Sequence, residues 1–399
     1  MKKSTEVVII LFVILGYIRF FEPVFVSNRL LNYGQFASVF VAVILGGSRI
    51  IGNTKRFGLP MLMLLFAIVF SMFMAMLYWD QSLKDTLLCS YEHLIVIFFF
   101  FIASSKLSMK DFEKIILGIG LAYLVLFAVQ YVSVPKIVFG KSNWGTDEFV
   151  ERRGTIRFVF PSGGVFFLLS FMAFNKLTLG VKPRLLYVLL SLAGLIVPVI
   201  QVTRQFIAAT VLLFGYNILK NISTSKAIIL LGLLSFGAYV ILNSDIEIVK
   251  GLLEQTESDL GDGSDYIRVQ AAEFFLYEFS PNWVTTVFGN GIPYWNMSDY
   301  GIYIALLQSK YGFFLEDVGL LGYYAQIGIF GVLSFLLIWF YSFYYTLPKN
   351  YSYLKYYLWF LLLTGLTWYS IYHYHYLIIT TLVIGMYQKI ITEKKINEQ

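Results

Sequence analysis

Two adjacent acids, Glu316 and Asp317, stand at the head of an otherwise apolar run, GFFLEDVGLLGYYAQIGIFG from Gly312 to Gly331. Two readings fit them. An acid at the start of a helix meets the positive end of the helix dipole. A carboxylate at a membrane edge can also take a proton from a hydroxyl as that hydroxyl attacks. Asp317 is the first choice for such a base and Glu316 the second. Three arginines carry a complementary chemistry, the two-pronged binding of phosphate by a planar fork. They are Arg157 in RRGTIRFVFPSGG, Arg204 in QVTRQ and Arg268 in SDYIRVQAAEFFLYEFSP. Each also has a plainer reading. Arg157 follows Arg152 and Arg153 as a snorkelling flank, Arg204 can cap a helix or meet lipid phosphate, and Arg268 can pair with Asp265 or Glu273 on a solvated face. Glu92 and His93 lie inside an apolar stretch, where ionisable groups are costly; they serve either an interhelical hydrogen bond or function. His373 and His375 in YHYHY read as interface aromatics, because His93 is the one other histidine and a metal site needs more ligands. No phosphate loop and no cofactor fingerprint is present, so neither a cofactor nor a metal is expected.

The elements that must position these residues follow from composition. The chain has 399 residues, 58% hydrophobic and only 14% charged, where a soluble globule carries about 25% charged residues. Mean hydropathy is +0.72. The expected class is an all-α polytopic membrane protein. A span needs roughly 20 apolar residues, and candidate spans fall at 6–21, 29–48, 59–79, 86–104, 115–135, 158–174, 185–201, 204–219, 227–243, 317–345, 356–371 and 374–390. The opening MKK and the apolar run after it read as the first span, since no small-residue cleavage site follows. The single cysteine, Cys89, excludes an internal disulfide and a cysteine metal cluster.

The layout has three parts: a bundle of about nine spans over 1–243, a large loop over 244–316, and a closing group of about three spans over 317–399. The loop reads as ordered. Ser264 offers an N-cap for a helix that Pro281 stops, VFGNGIPYW reads as a glycine turn, and DYGIYIALLQSKYG as another short helix. Gly319, Gly322, Gly328 and Gly331 fall near one face of the following helix, a close-packing signal in lipid. Charge sets the orientation. With the N-terminus inside, the inside segments hold 18 of the 30 basic residues and five acids. The net charge of +6 is therefore a topology signal and does not point to nucleic acid.

Three stretches carry a resemblance: QVTRQFIAATVLL, IRVQAAEFFLYEFSPNWVTTVFGNGIP and EDVGLLGYYAQIGIFG. With the layout, they resemble the bacterial O-antigen and capsular polysaccharide polymerases (Wzy-type) and, more distantly, the O-antigen ligases. The ligases would have histidine and asparagine where this chain has Asp317 and Val318. The resemblance implies a GT-C-like membrane glycosyltransferase at the outer face of the bacterial plasma (inner) membrane, with both termini cytoplasmic. It would join oligosaccharide repeat units carried on undecaprenyl pyrophosphate, making O-antigen, capsule or exopolysaccharide. A chain-length regulator and a flippase are the partner proteins it suggests. In that setting Arg204, Arg268 and Arg157 would clamp the pyrophosphate without a metal, Asp317 or Glu316 would be the base, and Tyr294 and Trp295 would stack on sugar rings. A ligase would share the arginines and differ in acceptor. A flippase or transporter suits twelve spans, but many transporters show two similar halves, and here one large loop follows the ninth span. A structural membrane subunit gives the outside arginines no use.

The charge imbalance generates the first test. Reporter fusions after Lys55, Lys110, Lys182, Lys226 and Lys355 should report the cytoplasm, and fusions within 244–316 the opposite side. A cytoplasmic 244–316 loop would overturn this orientation.

Overall fold

In lipid every backbone N–H and C=O must find a partner inside the protein, so spanning segments are helices. The computed structural model describes residues 1–142, 150–152, 155–201, 203–226, 228–229, 232 and 266–397. Among these the chain is helical except for a small antiparallel hairpin and its connections. The first half comprises α1 (Lys3–Tyr17), α2 (Asn28–Gly47), α3 (Gly58–Tyr78), α4 (Leu83–Ala103) and α5 (Met109–Ser133). The hairpin of β1 (Val150–Arg152) and β2 (Thr155–Arg157) leads to α6 (Gly163–Thr178), α7 (Arg184–Ile200) and α8 (Arg204–Asn221). Three short helices follow, α9 (Ile267–Tyr277), α10 (Trp283–Phe288) and α11 (Asp299–Tyr311), and then α12 (Leu320–Tyr344), α13 (Tyr353–Thr364) and α14 (Tyr374–Asn397). Five of these, α2, α3, α4, α5 and α12, are long and apolar enough to cross a membrane, and α6 and α7 are apolar but shorter. The chain is an all-α membrane protein. Eleven of the stretches expected as spans overlap helices, and of 227–243 only residues 228, 229 and 232 are described.

Polar contacts sort the helix ends into two groups. One end gathers Lys3 with Asp111 at 2.6 Å, Lys176 with Glu113 at 2.7 Å and Lys389 Nζ donating to Ser105 O at 2.7 Å. The other joins Gly140 N to Glu22 O at 2.9 Å, Tyr374 OH to Glu22 Oε1 at 3.4 Å and Gln81 Nε2 to Ile292 O at 3.0 Å.

The expected helix 317–345 differs in an informative way. It begins at Leu320, behind Gly319 at φ 55°, and it is broken at Gly328, with φ 71° and ψ −173°. Glycine adopts such values at no steric cost. The four glycines therefore do not form one packing stripe. The break releases the carbonyls of Ala325 and Gln326. They accept from Asn290 N at 3.0 Å and Gly291 N at 2.8 Å, and Asn290 Nδ2 adds a bond to Ala325 O at 2.9 Å. Asn290 Oδ1 in turn accepts from Trp79 Nε1 at 3.0 Å. A Cβ on Gly328 would run into Val287 O, and one on Gly289 into Gln326 O. The Phe-Gly-Asn-Gly turn is thus docked backbone to backbone on the broken helix.

Over residues 266–311 the short helices expected from sequence are present, with two differences. Helix α9 ends at Tyr277, before Pro281, while Ser264 lies outside the described residues. An additional helix, α10, starts from Asn282, whose side chain accepts from Val284 N and Thr285 N at 2.9 and 3.1 Å. Asn282 follows Pro281, whose sequence signal is that of a helix stop and not of a new start. Asn290→Ala should destabilise the protein by about 1–3 kcal/mol, since it leaves Trp79 Nε1 without an acceptor and thins the cover over the broken helix. Thermal unfolding in detergent measures this, and an unchanged midpoint would mean that the turn contributes nothing to the fold.

Candidate functional site

Leu315 to Val318 form a single 3-10 turn ahead of α12. Its apolar members, Leu315 and Val318, are buried in a small core with Phe275, Phe279, Tyr300 and Ile304. Two backbone bonds hold the turn from outside. Tyr369 N donates to Glu316 O at 3.2 Å, and Leu320 N donates to Gly365 O at 2.8 Å. With Leu315 and Val318 turned inward, the two acids between them take different surroundings. Asp317 does not cap α12, because Gly319 occupies the cap position and makes no side-chain bond. Its Oδ2 lies 3.4 Å from Arg268 Nη2, both side chains being more than a third exposed. Of the two partners expected for Arg268 on its own helix, Asp265 lies outside the described residues; the ion pair seen among the described residues is this longer-range one. Glu316 instead faces a cavity, and its Oε2 is buried without a hydrogen-bond partner among the described residues. Burial pushes the Glu316 carboxyl above the usual carboxylate range, and the neighbouring Asp317 charge adds to the rise.

The cavity has a volume of about 390 Å³, within the roughly 300–1,000 Å³ typical of small-molecule sites. Besides the turn that carries Glu316, four separate elements supply its polar and aromatic lining. Glu92 and His93 come from a seven-residue 3-10 stretch, Tyr91–Ile97, in the middle of α4. Such a departure inside a helix often marks a functional position. Gln326 comes from the last turn before the break in α12, and its Oε1 accepts from Tyr372 OH at 2.5 Å. Tyr369, Tyr372, His373 and Tyr374 come from the connection between α13 and the start of α14. Trp295 comes from the turn after Gly291. His93 Nδ1, like Glu316 Oε2, is buried without a hydrogen-bond partner among the described residues.

Behind this lining lies a charged support. Arg19 Nη1 is 2.9 Å from Glu22 Oε1, and Arg19 Nη2 is 3.0 Å from Asn28 Oδ1. Glu22 also accepts from Tyr374 OH, so the pair touches the cavity wall. Arg19, Phe20, Phe21 and Glu22 all have φ between 50° and 64°. A left-handed run of L residues is strained.

The other sequence candidates take distinct places. Arg204 opens α8 and is half-buried. Phe206, two residues on, lies 5.4 Å from Trp368, whose ring is 5.5 Å from His373. The start of α8 is thus one aromatic layer behind the cavity wall. Arg157 ends β2 opposite Val150. Tyr294 does not line the cavity; its N donates to Gln81 Oε1 at 2.9 Å, which docks the turn on the region following α3. The structure therefore brings Glu316 and Trp295 into one cavity and Asp317 to Arg268 beside it. Gln326, Tyr372, Tyr374 and the Arg19–Glu22 pair escaped sequence reasoning. The one available signal was RFFE, opposite charges inside an apolar flank. A second cavity, about 400 Å³, lies between α1 and α5 and is lined by Leu11, Leu15, Ile115 and Ile119, with Asp111 at its edge already paired to Lys3. It holds no orphaned polar atom among the described residues and offers no chemistry.

No protein-family model matches the chain, and no curated protein matches it.

The raised Glu316 pKa has a stability consequence with a definite sign. A carboxyl whose pKa is higher folded than unfolded contributes stability that is complete below the ordinary value of 4.5 and lost as pH rises through the folded value. Glu316→Gln carries no such loss. The unfolding midpoint of the wild type relative to Glu316→Gln should therefore fall as pH is raised from about 4 to about 8. A pH-independent difference would mean that Glu316 is solvated.

Proposed function

We propose that the protein is a membrane glycosyltransferase that joins lipid-linked oligosaccharide units, a polysaccharide polymerase of the O-antigen or capsular type. The observation that carries this reading is Glu316, whose Oε2 is buried and without a hydrogen-bond partner among the described residues, in a cavity walled by Trp295 and tyrosines, one residue from the Asp317–Arg268 pair. Aromatic walls suit the faces of sugar rings. A carboxyl held above its usual range is suited to proton transfer near neutral pH. The wider arrangement belongs to the same proposal: about twelve spans in a GT-C-like bundle, the 244–316 loop outside, both termini cytoplasmic, and an undecaprenyl-pyrophosphate donor.

The acceptor hydroxyl oxygen attacks C1 of the donor sugar, and its proton passes to a Glu316 carboxylate oxygen. The bond between C1 and the pyrophosphate oxygen breaks, and its electron pair leaves on the pyrophosphate. Charge developing there needs fixed positive groups, a role for Arg268 and Arg204. The two acids then divide the labour in the reverse of the order expected from sequence. Glu316 is the base, and Asp317 aims the Arg268 fork.

Purified protein given lipid-linked repeat units tests this. Glu316→Gln should lose at least about a hundredfold in turnover, the usual worth of a general base. Asp317→Asn should lose less, and Arg268→Lys should rescue Arg268→Ala poorly, because a point charge does not reproduce a fork. Near wild-type polymer from Glu316→Gln in a normally inserted protein would remove the base and the mechanism with it.

A further inference from the structure

The cavity is unbalanced in charge. Its lining contains two acids, Glu92 and Glu316, and neither lysine nor arginine among the described residues. Of the cations nearby, Lys141 is exposed and stands outside the lining, although its charge reaches Glu92 and His373, and two arginines are held by partners. Arg19 is held by Glu22 and Asn28, and Arg268 by Asp317. The histidine in the lining between α13 and α14 does not restore the balance, because burial pushes the His373 imidazole down to about 3 and leaves it neutral. A carboxylate, sulfate or phosphate brought into this space would be desolvated beside like charge with no counter-ion in the wall.

The same atoms say what is welcome. Glu316 Oε2 is an orphaned acceptor, and His93 Nδ1 is a second buried polar atom without a partner. Leaving such groups unmet is costly, and hydroxyl, amide N–H or ammonium groups would satisfy the carboxylate. Ile292, Leu315 and Trp295 supply the apolar side against which the C–H face of a ring can lie.

We propose that the acceptor sugar seated in this cavity, the residue whose hydroxyl meets Glu316, carries no acidic group: it is a neutral or ammonium-bearing sugar, and uronic, sulfated or phosphorylated acceptor residues are excluded. This rests on the reading of the cavity as the saccharide site and specifies its substrate class. Acidic sugars elsewhere in a repeat unit are compatible with it; the exclusion applies to the residue that enters beside Glu92 and Glu316. Truncating either acid to its amide removes one like charge while keeping the shape, so specificity should relax before affinity for neutral sugars is lost.

The test uses the full chain in detergent and follows tryptophan fluorescence during titration with glucose, galactose, glucosamine, glucuronate and galacturonate. Trp295→Phe identifies the part of the signal that comes from the cavity. Glucose or galactose, or glucosamine, should change the Trp295 signal, and the matching uronates should bind at least about tenfold more weakly, as expected for like charges brought together. Glu92→Gln should narrow that gap while the unfolding midpoint, read in parallel, shows the variant to be folded. A uronate binding as tightly as its parent sugar would overturn the inference and leave the glycosyltransferase reading intact. Silence toward all five sugars in a folded protein would overturn both.

Discussion

A helix that breaks inside a membrane protein must hand its released carbonyls to something. Here the break is at Gly328, and the recipients are the N–H groups of Asn290 and Gly291 and the Asn290 amide. Irregular backbone at membrane depth is tolerated only where protein buries it or where it lines a cavity, and this break does both. Its covered side receives the Phe-Gly-Asn-Gly turn. Its other side carries Gln326 into the cavity, where Tyr372 donates to it. Much of the site hangs on that exchange. The turn that satisfies the break also brings Ile292, Pro293 and Trp295 into the lining, and the helix it clamps is the one that the Glu316 turn precedes.

A second constraint works from the opposite wall. Four consecutive residues, Arg19 to Glu22, hold left-handed backbone, at about 1–2 kcal/mol for each non-glycine residue. Such strain persists where surrounding contacts over-determine it. Phe21 packs against the paired rings of Tyr123 and Phe160, with both ring centroids 6.3 Å away, and the Arg19–Glu22 ion pair closes the turn. The outcome is a charged brace that touches Tyr374 from behind and leaves the cavity itself free of cations among the described residues. Arg19 and Arg268 stand outside the cavity lining for the same reason: each is held by a carboxylate of its own.

The two acids at the head of the 312–331 run show how neighbouring residues of one chemistry acquire different roles. Glu316 is desolvated and Asp317 is more than a third exposed, although one peptide bond separates them. The difference arises because Leu315 and Val318 flank them in one tight turn and both point into the small core. Once those two are buried, the residues between must diverge. An exposed ion pair such as Asp317–Arg268 contributes little to stability, about 0–1 kcal/mol, so its value lies in orienting the arginine.

Sequence by itself determined the class of this protein and most of its helices. Apolar length, the charged gaps between runs and the glycine and asparagine turn signals are local properties, and they located eleven helices and the Phe-Gly-Asn-Gly turn close to where they stand. The same local signals singled out Glu92, His93, Glu316, Asp317, Arg268 and Trp295 as residues out of keeping with their surroundings. Tertiary structure alone decided which of them meet. That Glu316 and not Asp317 faces the cavity depends on docking against Gly365 and Tyr369, some fifty residues away, and that Arg268 pairs with Asp317 depends on packing α9 onto the same small core. The break at Gly328 could not be read from a glycine that equally suits a close helix contact; only the carbonyl acceptors and the Asn290 donors, brought together by the fold, distinguish the two. Side-chain direction in a tight turn is set by what the turn packs against, and that partner is written elsewhere in the chain.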